Sequence, residues 1–152
     1  MPKREYIITV VNEWIAKAEN DIKSAQHLLT TEDECLVDTV CFHAQQCVEK
    51  YLKALLVLKV IPFPKTHNIP ALMTILPAKL QKIITVDEQN LLTEYATVTR
   101  SPGYYEDISF AEARDSIRIA RRVRKIIRGL LPKEAKIAKR KKMLLRKTQI
   151  QR

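Results

Sequence analysis

Polar residues at helical spacing between positions 43 and 53 are the strongest candidates for chemistry in this chain. They recur at intervals of three or four residues and so share one face of a helix: His43, Gln46, Lys50 and Lys53. An imidazole, an amide and two ammonium groups can together donate hydrogen bonds to an anion such as a phosphate. The alternative is a solvated helical surface, on which Glu49 pairs with Lys53 four residues later.

The segment that carries these residues has the pattern of a long amphipathic helix. Apolar residues recur at the same spacing on an adjoining face, which predicts a helix over about residues 35–59: Val40, Ala44, Cys47, Tyr51, Ala54 and Leu58. Gln45 and Gln46, next to this stripe, are interpreted as caps of buried backbone at a dimer interface.

Four further helices are predicted from periodicity and from capping residues. A helix with a core face that includes Trp14 and Leu29 is predicted over about 8–30, and a last helix over about 110–131. Asn68 is a good N-cap for a short helix that stops by Pro77. The pairs Thr85/Glu88 and Ser109/Glu112 have the capping-box spacing, and the helix after Thr85 should run to about Thr99. No long period-2 pattern occurs, so the sequence predicts an all-α, up-and-down bundle of four to five helices.

Most of the positive charge lies at the C-terminal end. Residues 133–152 hold nine of the 27 basic residues and one of the 17 acidic residues, a net charge of +8 out of +10. We therefore predict a helical domain at 1–132 and a basic tail at 133–152. The tail could bind RNA, an acidic partner or a membrane surface, or nothing specific. Its candidate contact residues are Lys139, Arg140, Lys141, Lys142, Arg146 and Lys147.

Several classes of site are disfavoured by composition. The chain has three cysteines without a CxxC pair, which are interpreted as free thiols in a reducing cytoplasm. No His, Cys, Asp or Glu cluster has metal-ligand spacing, and we predict neither a metal nor a cofactor. Two glycines in the entire chain exclude a glycine-rich phosphate loop. No stretch has the length of a membrane span, and no signal peptide is visible.

Several motifs together resemble the HEPN family, whose members include nucleotide-binding proteins and RNA-cutting toxins. The helix at 35–59 carries the most specific part of the resemblance, which covers about residues 8–131. The weaker matches are Lys65-Thr66-His67-Asn68, Thr99-Arg100-Ser101-Pro102-Gly103, and a first-helix pattern of Trp14, Ala18, Asp21, Ile22 and Ala25. The resemblance implies a HEPN-like bundle and a homodimer.

The resemblance also provides a test for ribonuclease activity. The toxins of the family use an arginine followed four to six residues later by a histidine, which can exchange a proton near neutral pH. Arg100 stands about where the family places this arginine, but no histidine occurs after His67. His67 is therefore interpreted as a loop anchor bonded to backbone, and His27 as exposed. In a binding protein, Arg100 could hold a phosphate and Tyr104 or Tyr105 could stack on a base.

We therefore interpret the chain as a non-catalytic HEPN-type subunit that binds a nucleotide or a protein partner. The resemblance implies a minimal nucleotidyltransferase as that partner, in a two-gene system of the toxin–antitoxin kind. Two alternatives stay open. One is a metal-independent ribonuclease toxin with a rearranged motif, and the other is an RNA-binding adaptor that uses the basic tail.

Overall fold

The structure is a computed structural model that describes residues 3–31, 36–96 and 107–135. Within these residues lie five α-helices, one short 3-10 segment and a helical turn at 133–135. The described part of the chain contains no strand. The elements in chain order are α1 (Arg4–Leu29), α2 (Val37–Leu58), α3 (Ile69–Thr74), a 3-10 segment (Ala78–Ile83), α4 (Val86–Ala96) and α5 (Phe110–Leu130).

The long helices alternate in direction, which confirms the predicted up-and-down bundle. Residues 26–30 at the end of α1 line a groove with residues 110–121 of α5, whereas Arg4 at its start contacts Glu134 beyond the end of α5. Helix α4 is likewise antiparallel to α5, since its start reaches Arg122 and its end reaches Glu112. Helix α2 packs against α1, α4 and α5 and forms the centre of the bundle.

The core is built largely from α2. Four of its large side chains are fully buried: Tyr51, Leu52, Leu55 and Leu56. Each of the three leucines contributes about 1.5–3 kcal/mol because its apolar surface is removed from water. Trp14 and Leu29, predicted for the core face of α1, are only partly buried at the edge of this core. No helix among the described residues is both long and apolar enough to span a membrane.

The predicted helix starts are largely correct because capping residues mark them. The Asn68 side chain accepts a bond from the Ala71 amide, and Thr85 and Glu88 form the reciprocal pair of a capping box. Ser109 caps α5 by accepting from the Glu112 amide, but the Glu112 carboxylate accepts from the Tyr95 hydroxyl instead of completing the box. Tertiary contact therefore replaced a local bond that spacing alone had predicted.

The exact ends of the helices could not be predicted from periodicity. Helix α1 begins at Arg4, four residues before its predicted start, and the 3-10 segment was not predicted at all. A six-residue segment is too short to give a clear periodic signal. The predicted end of α4 at Thr99 lies outside the described residues.

The start of the predicted basic tail is partly described and packs on the domain. Glu134 forms an exposed ion pair with Arg4, at 3.0 Å between Oε2 and Nε. Ala135 is buried. The chain therefore keeps contact with the bundle for at least three residues after Pro132, and the domain boundary at residue 132 stays a prediction.

The two cysteines of α2 are free and buried, as the pattern predicted. Burial raises the pKa of the Cys41 thiol to about 11 and also raises the pKa of Cys47. We expect neither thiol to react with Ellman's reagent at pH 8 in the native protein, because both are inaccessible and protonated. A Cys35→Ser variant should show no reactive thiol when folded and two when unfolded. Rapid labelling of the folded variant would contradict this packing.

Candidate functional site

Asp21 on α1 holds two of the predicted site residues. The residue is 7% exposed, and its carboxylate lies between two groups of α2. Asp21 Oδ1 is 2.8 Å from His43 Nδ1, and Oδ2 accepts a bond from Lys50 Nζ at 2.5 Å. The positive charge of Lys50 is therefore balanced within the protein.

Glu49 on α2 gathers a second group of donors around one carboxylate. Its side chain is 2% exposed and accepts from Lys53 Nζ at 2.7 Å. The Gln45 and Gln46 amides donate to it at 3.1 and 3.3 Å, and His67 Nδ1 lies 3.0 Å from Oε2. Lys53 also lies over the Trp14 ring of α1, 5.3 Å from its centroid. The carboxylate thereby links α2 to the loop that follows it, and through Lys53 to α1.

The charge state of Glu49 follows from these donors. Burial acts to raise the pKa of its carboxyl, but hydrogen bonds from Lys53, His67 and Gln45 act in the opposite direction, together with the Lys53 charge. The net effect holds the pKa of Glu49 below its ordinary value. Glu49 is therefore ionised at neutral pH and forms a true ion pair with buried Lys53.

The predicted donor face of α2 is thus divided into two clusters, each centred on a carboxylate. His43 and Lys50 contact Asp21, whereas Gln46 and Lys53 contact Glu49 and are buried. The i,i+4 pair of Glu49 with Lys53, weighed as the alternative, is formed. A direct role for these four residues in ligand binding stays a prediction.

His67 is anchored on α2 at two points. Its backbone carbonyl accepts a bond from Gln45 Nε2 at 3.1 Å, while its ring contacts Glu49. The ring is 70% exposed on its other side. The prediction of a loop anchor is thus supported, although the ring bonds a carboxylate and not backbone. Gln45 caps backbone as predicted, but within this chain.

The remaining predicted site residues lie outside the described part of the chain. They comprise the two from the segment before α5 and the six of the tail: Arg100, Tyr104, Lys139, Arg140, Lys141, Lys142, Arg146 and Lys147. No group of three or more metal-ligating side chains occurs within residues 3–31, 36–96 and 107–135.

A third buried carboxylate, which the sequence analysis did not single out, joins α1 to α5. Glu19 accepts from Nε and Nη2 of Arg124, which form one edge of its guanidinium group, at 2.8–3.1 Å, and from Arg128 Nη1 at 2.8 Å. The hydrogen bonds to Glu19 are the main cause of the raised pKa of Arg124. The partners are 105 and 109 residues apart, so spacing along the chain gave no signal.

Helix α5 has an exposed cationic face that the charge count concealed. Four exposed residues at spacings of four, three and four share one side of the helix, and we refer to them as the arginine stripe: Arg114, Arg118, Arg121 and Lys125. The net charge of residues 1–132 is low because acidic residues elsewhere in the domain offset these cations. The helical spacing within α5 would have revealed them.

A groove of about 880 Å³ separates the start of the arginine stripe from the end of α1. From α1 it is lined by Gln26 and Leu29, followed by Thr30. From α5 it is lined by an aromatic residue, an aliphatic residue and three arginines: Phe110, Ile117, Arg114, Arg118 and Arg121. The Arg114 guanidinium lies 5.8 Å from the Phe110 ring centroid. We refer to this cavity as the α1–α5 groove.

These features define an all-α bundle with a cationic groove and no glycine-rich loop. The family model of the HEPN domain matches residues 11–130, and the chain belongs to the HEPN domain family. Its structure is similar to the crystal structure of an archaeal HEPN homologue, with a TM-score of 0.59 and 25% sequence identity. The match covers 79% of this chain and 96% of that chain. No curated protein gives a significant match.

Proposed function

We propose that this HEPN protein is a non-catalytic nucleotide-binding subunit, and that the nucleotide lies in the α1–α5 groove. The observation that carries the proposal is the composition of the groove, which joins one aromatic ring to three guanidinium groups. Its volume of about 880 Å³ falls within the range of small-ligand sites, roughly 300–1,000 Å³.

Each part of the groove suits one part of a nucleotide. Phe110 is an exposed ring on which a base can stack, and Leu29 and Ile117 provide apolar surface beside it. Arg118 and Arg121 can each hold a phosphate with two parallel hydrogen bonds. The groups on the opposite wall, Gln26 and Thr30, can donate to and accept from the edge of a base.

The ion pairs favour this groove over the α2 residues. Lys50 and Lys53 are each within 2.7 Å of a buried carboxylate, so an anionic ligand would have to displace that carboxylate. By contrast, among the described residues the carboxylate partner of Arg118 is the exposed Asp115, and Arg121 has no carboxylate partner. Exposed pairs are worth about 0–1 kcal/mol and yield readily to a phosphate.

The ribonuclease alternative has less support. His43 and His67 contact Asp21 and Glu49 respectively, and neither follows an arginine at the spacing of the family motif. Arg100 lies outside the described residues. A toxin with a rearranged motif would have to cut RNA without metal and lose that activity in Arg100→Ala.

A protein partner is the second candidate function, and exposed apolar side chains support it. Ile126 and Leu130 are exposed four residues apart near the end of α5, and Phe42 is exposed on α2. Such residues are suited to an interface with a second copy, or with the minimal nucleotidyltransferase implied by the resemblance. The free buried thiols fit a cytoplasmic, reducing location. An RNA-binding role for the tail stays a prediction.

Binding of ATP or GTP, measured by calorimetry, tests the nucleotide proposal. Arg118→Ala should weaken binding roughly 10- to 100-fold, because a hydrogen bond to a charged group is worth about 1.5–3 kcal/mol. Arg4→Ala is the matched control, since Arg4 also belongs to an exposed ion pair, and it should bind as the wild type does. Loss of binding in Lys50→Ala but not in Arg118→Ala would contradict the proposal and indicate a nucleotide site on α2.

A further inference from the structure

The arginine stripe is longer than a mononucleotide site requires. Lys125 lies eleven residues after Arg114, which corresponds to about 16 Å along the axis of α5. A second cavity of about 520 Å³ continues the surface beyond the α1–α5 groove, lined by Arg121, Arg122, Arg124, Lys125 and Arg128. Arg121 lines both cavities, so the two form one cationic path along α5.

The ion pairs show which cations along this path are available to a ligand. Arg122 contacts Glu88 on α4, and Arg124 and Arg128 contact Glu19 on α1. These three therefore border the path with their charges already paired. Within the described residues, Arg114, Arg121 and Lys125 have no carboxylate partner, and Arg118 has the exposed Asp115. The available charges are thus those of the arginine stripe itself.

The side chains between these charges favour one kind of polyanion. Single-stranded nucleic acids are held by aromatic side chains that alternate with cations, because successive bases need successive stacking surfaces. Of the residues that line the two cavities, Phe110 alone is aromatic, and it lies at the end of the path. Beyond Phe110 the path offers charge without stacking surfaces, which suits successive phosphates without bases.

We propose that the arginine stripe binds an extended phosphate chain, of which the α1–α5 groove holds one end. The chain is either inorganic polyphosphate or the phosphate tail of a nucleoside polyphosphate. This inference rests on the proposed nucleotide site for the position of that end. It adds Lys125 as the residue that discriminates long phosphate chains from short ones.

Calorimetry on the full chain at about 150 mM salt tests the proposal with five probes: AMP, ATP, tripolyphosphate, a polyphosphate of medium length and oligouridylate. Affinity should rise with the number of phosphates. Lys125→Ala should weaken polyphosphate binding ~tenfold and leave AMP binding unchanged, because one charge-assisted contact is lost beyond the groove. Lys65→Ala, an exposed lysine in the loop after α2, should have no effect.

Each contrary result has a separate meaning. Equal affinity for AMP and polyphosphate, or no effect of Lys125→Ala, overturns the proposal that the stripe binds an extended phosphate chain. The proposal of a nucleotide site would then still stand. Polyphosphate binding without any nucleotide binding overturns the nucleotide site instead. The basic tail is tested by Lys141→Ala/Lys142→Ala, and a loss there that exceeds the loss in Lys125→Ala overturns the proposal. Tighter binding of oligouridylate than of polyphosphate at the stripe would identify an RNA surface.

Discussion

Glu49→Ala is expected to lower the free energy of unfolding by about 3–5 kcal/mol, the usual cost of breaking a buried ion pair from one side. The substitution leaves the ammonium group of Lys53 buried without its carboxylate partner. Among the described residues, the contact that it keeps is the one with the Trp14 ring. The substitution also removes one of the acceptors of Gln45 and of Gln46, and the carboxylate that the His67 ring contacts. Urea denaturation followed by circular dichroism measures the loss without adding salt.

A double substitution identifies the cause of this loss. In Glu49→Met/Lys53→Met the uncompensated charge is absent, so the double variant should be more stable than Glu49→Ala. Glu134→Ala is the exposed control and should cost less than about 1 kcal/mol. A Glu49→Ala variant within 1 kcal/mol of the wild type would contradict the network. So would a double variant no more stable than Glu49→Ala.

The same carboxylate predicts how stability depends on pH. The pKa of Glu49 is lower in the folded protein than the ordinary value of 4.5, so the folded state favours the ionised form. This contribution is fully present above pH 4.5 and is lost as the pH falls through the lower folded value. The wild type should therefore lose stability below pH 4.5 more steeply than the double variant does.

Glu19→Ala is expected to cost about 2–3 kcal/mol, because it removes the acceptor of two arginines that link α5 to α1. The expected loss is smaller than at Glu49, since Arg124 and Arg128 keep partial access to water and are not left wholly unsolvated. Thermal and urea unfolding both measure it. Asp115→Ala, which breaks an exposed pair on the same helix, should cost under about 1 kcal/mol.

A double-mutant cycle between Glu19 and Arg124 separates this pair from general effects of substitution. Residues in direct contact show coupling energies of about 0.5–3 kcal/mol, and the bidentate geometry places this pair in the upper part of that range. A coupling near zero would mean that the contact does not hold α1 against α5 in solution.

The fold could be predicted from the sequence because local signals agreed with one another. The apolar spacing around Tyr51 located α2, and Asn68, Thr85 and Ser109 located the starts of three other helices. Each signal depends on residues within one or two turns, so no tertiary contact was needed to read it.

The candidate site could be predicted only in part, because its properties depend on contacts between distant residues. Nothing in the spacing showed that Lys50 would meet Asp21, which lies 29 residues away on another helix. The Glu49–Lys53 pair was visible, since its partners are four residues apart. The arginine stripe could have been predicted from the helical spacing within α5. The net charge of the whole domain did not reveal it, because acidic residues elsewhere offset its cations. Ion pairing decides which cations are available to a ligand, and the sequence does not show which distant residues pair.

Photocrosslinking with 8-azido-ATP, followed by peptide mapping, tests the nucleotide site most directly. The nucleotide proposal predicts that the azidoadenine labels the peptide around Phe110 or the end of α1 near Thr30, and that excess ATP prevents the labelling. The same experiment on Arg118→Ala should give much weaker labelling at equal concentration. Protectable labelling of the α2 peptide around Lys50 and Lys53, with the Phe110 peptide unlabelled, would contradict the proposal.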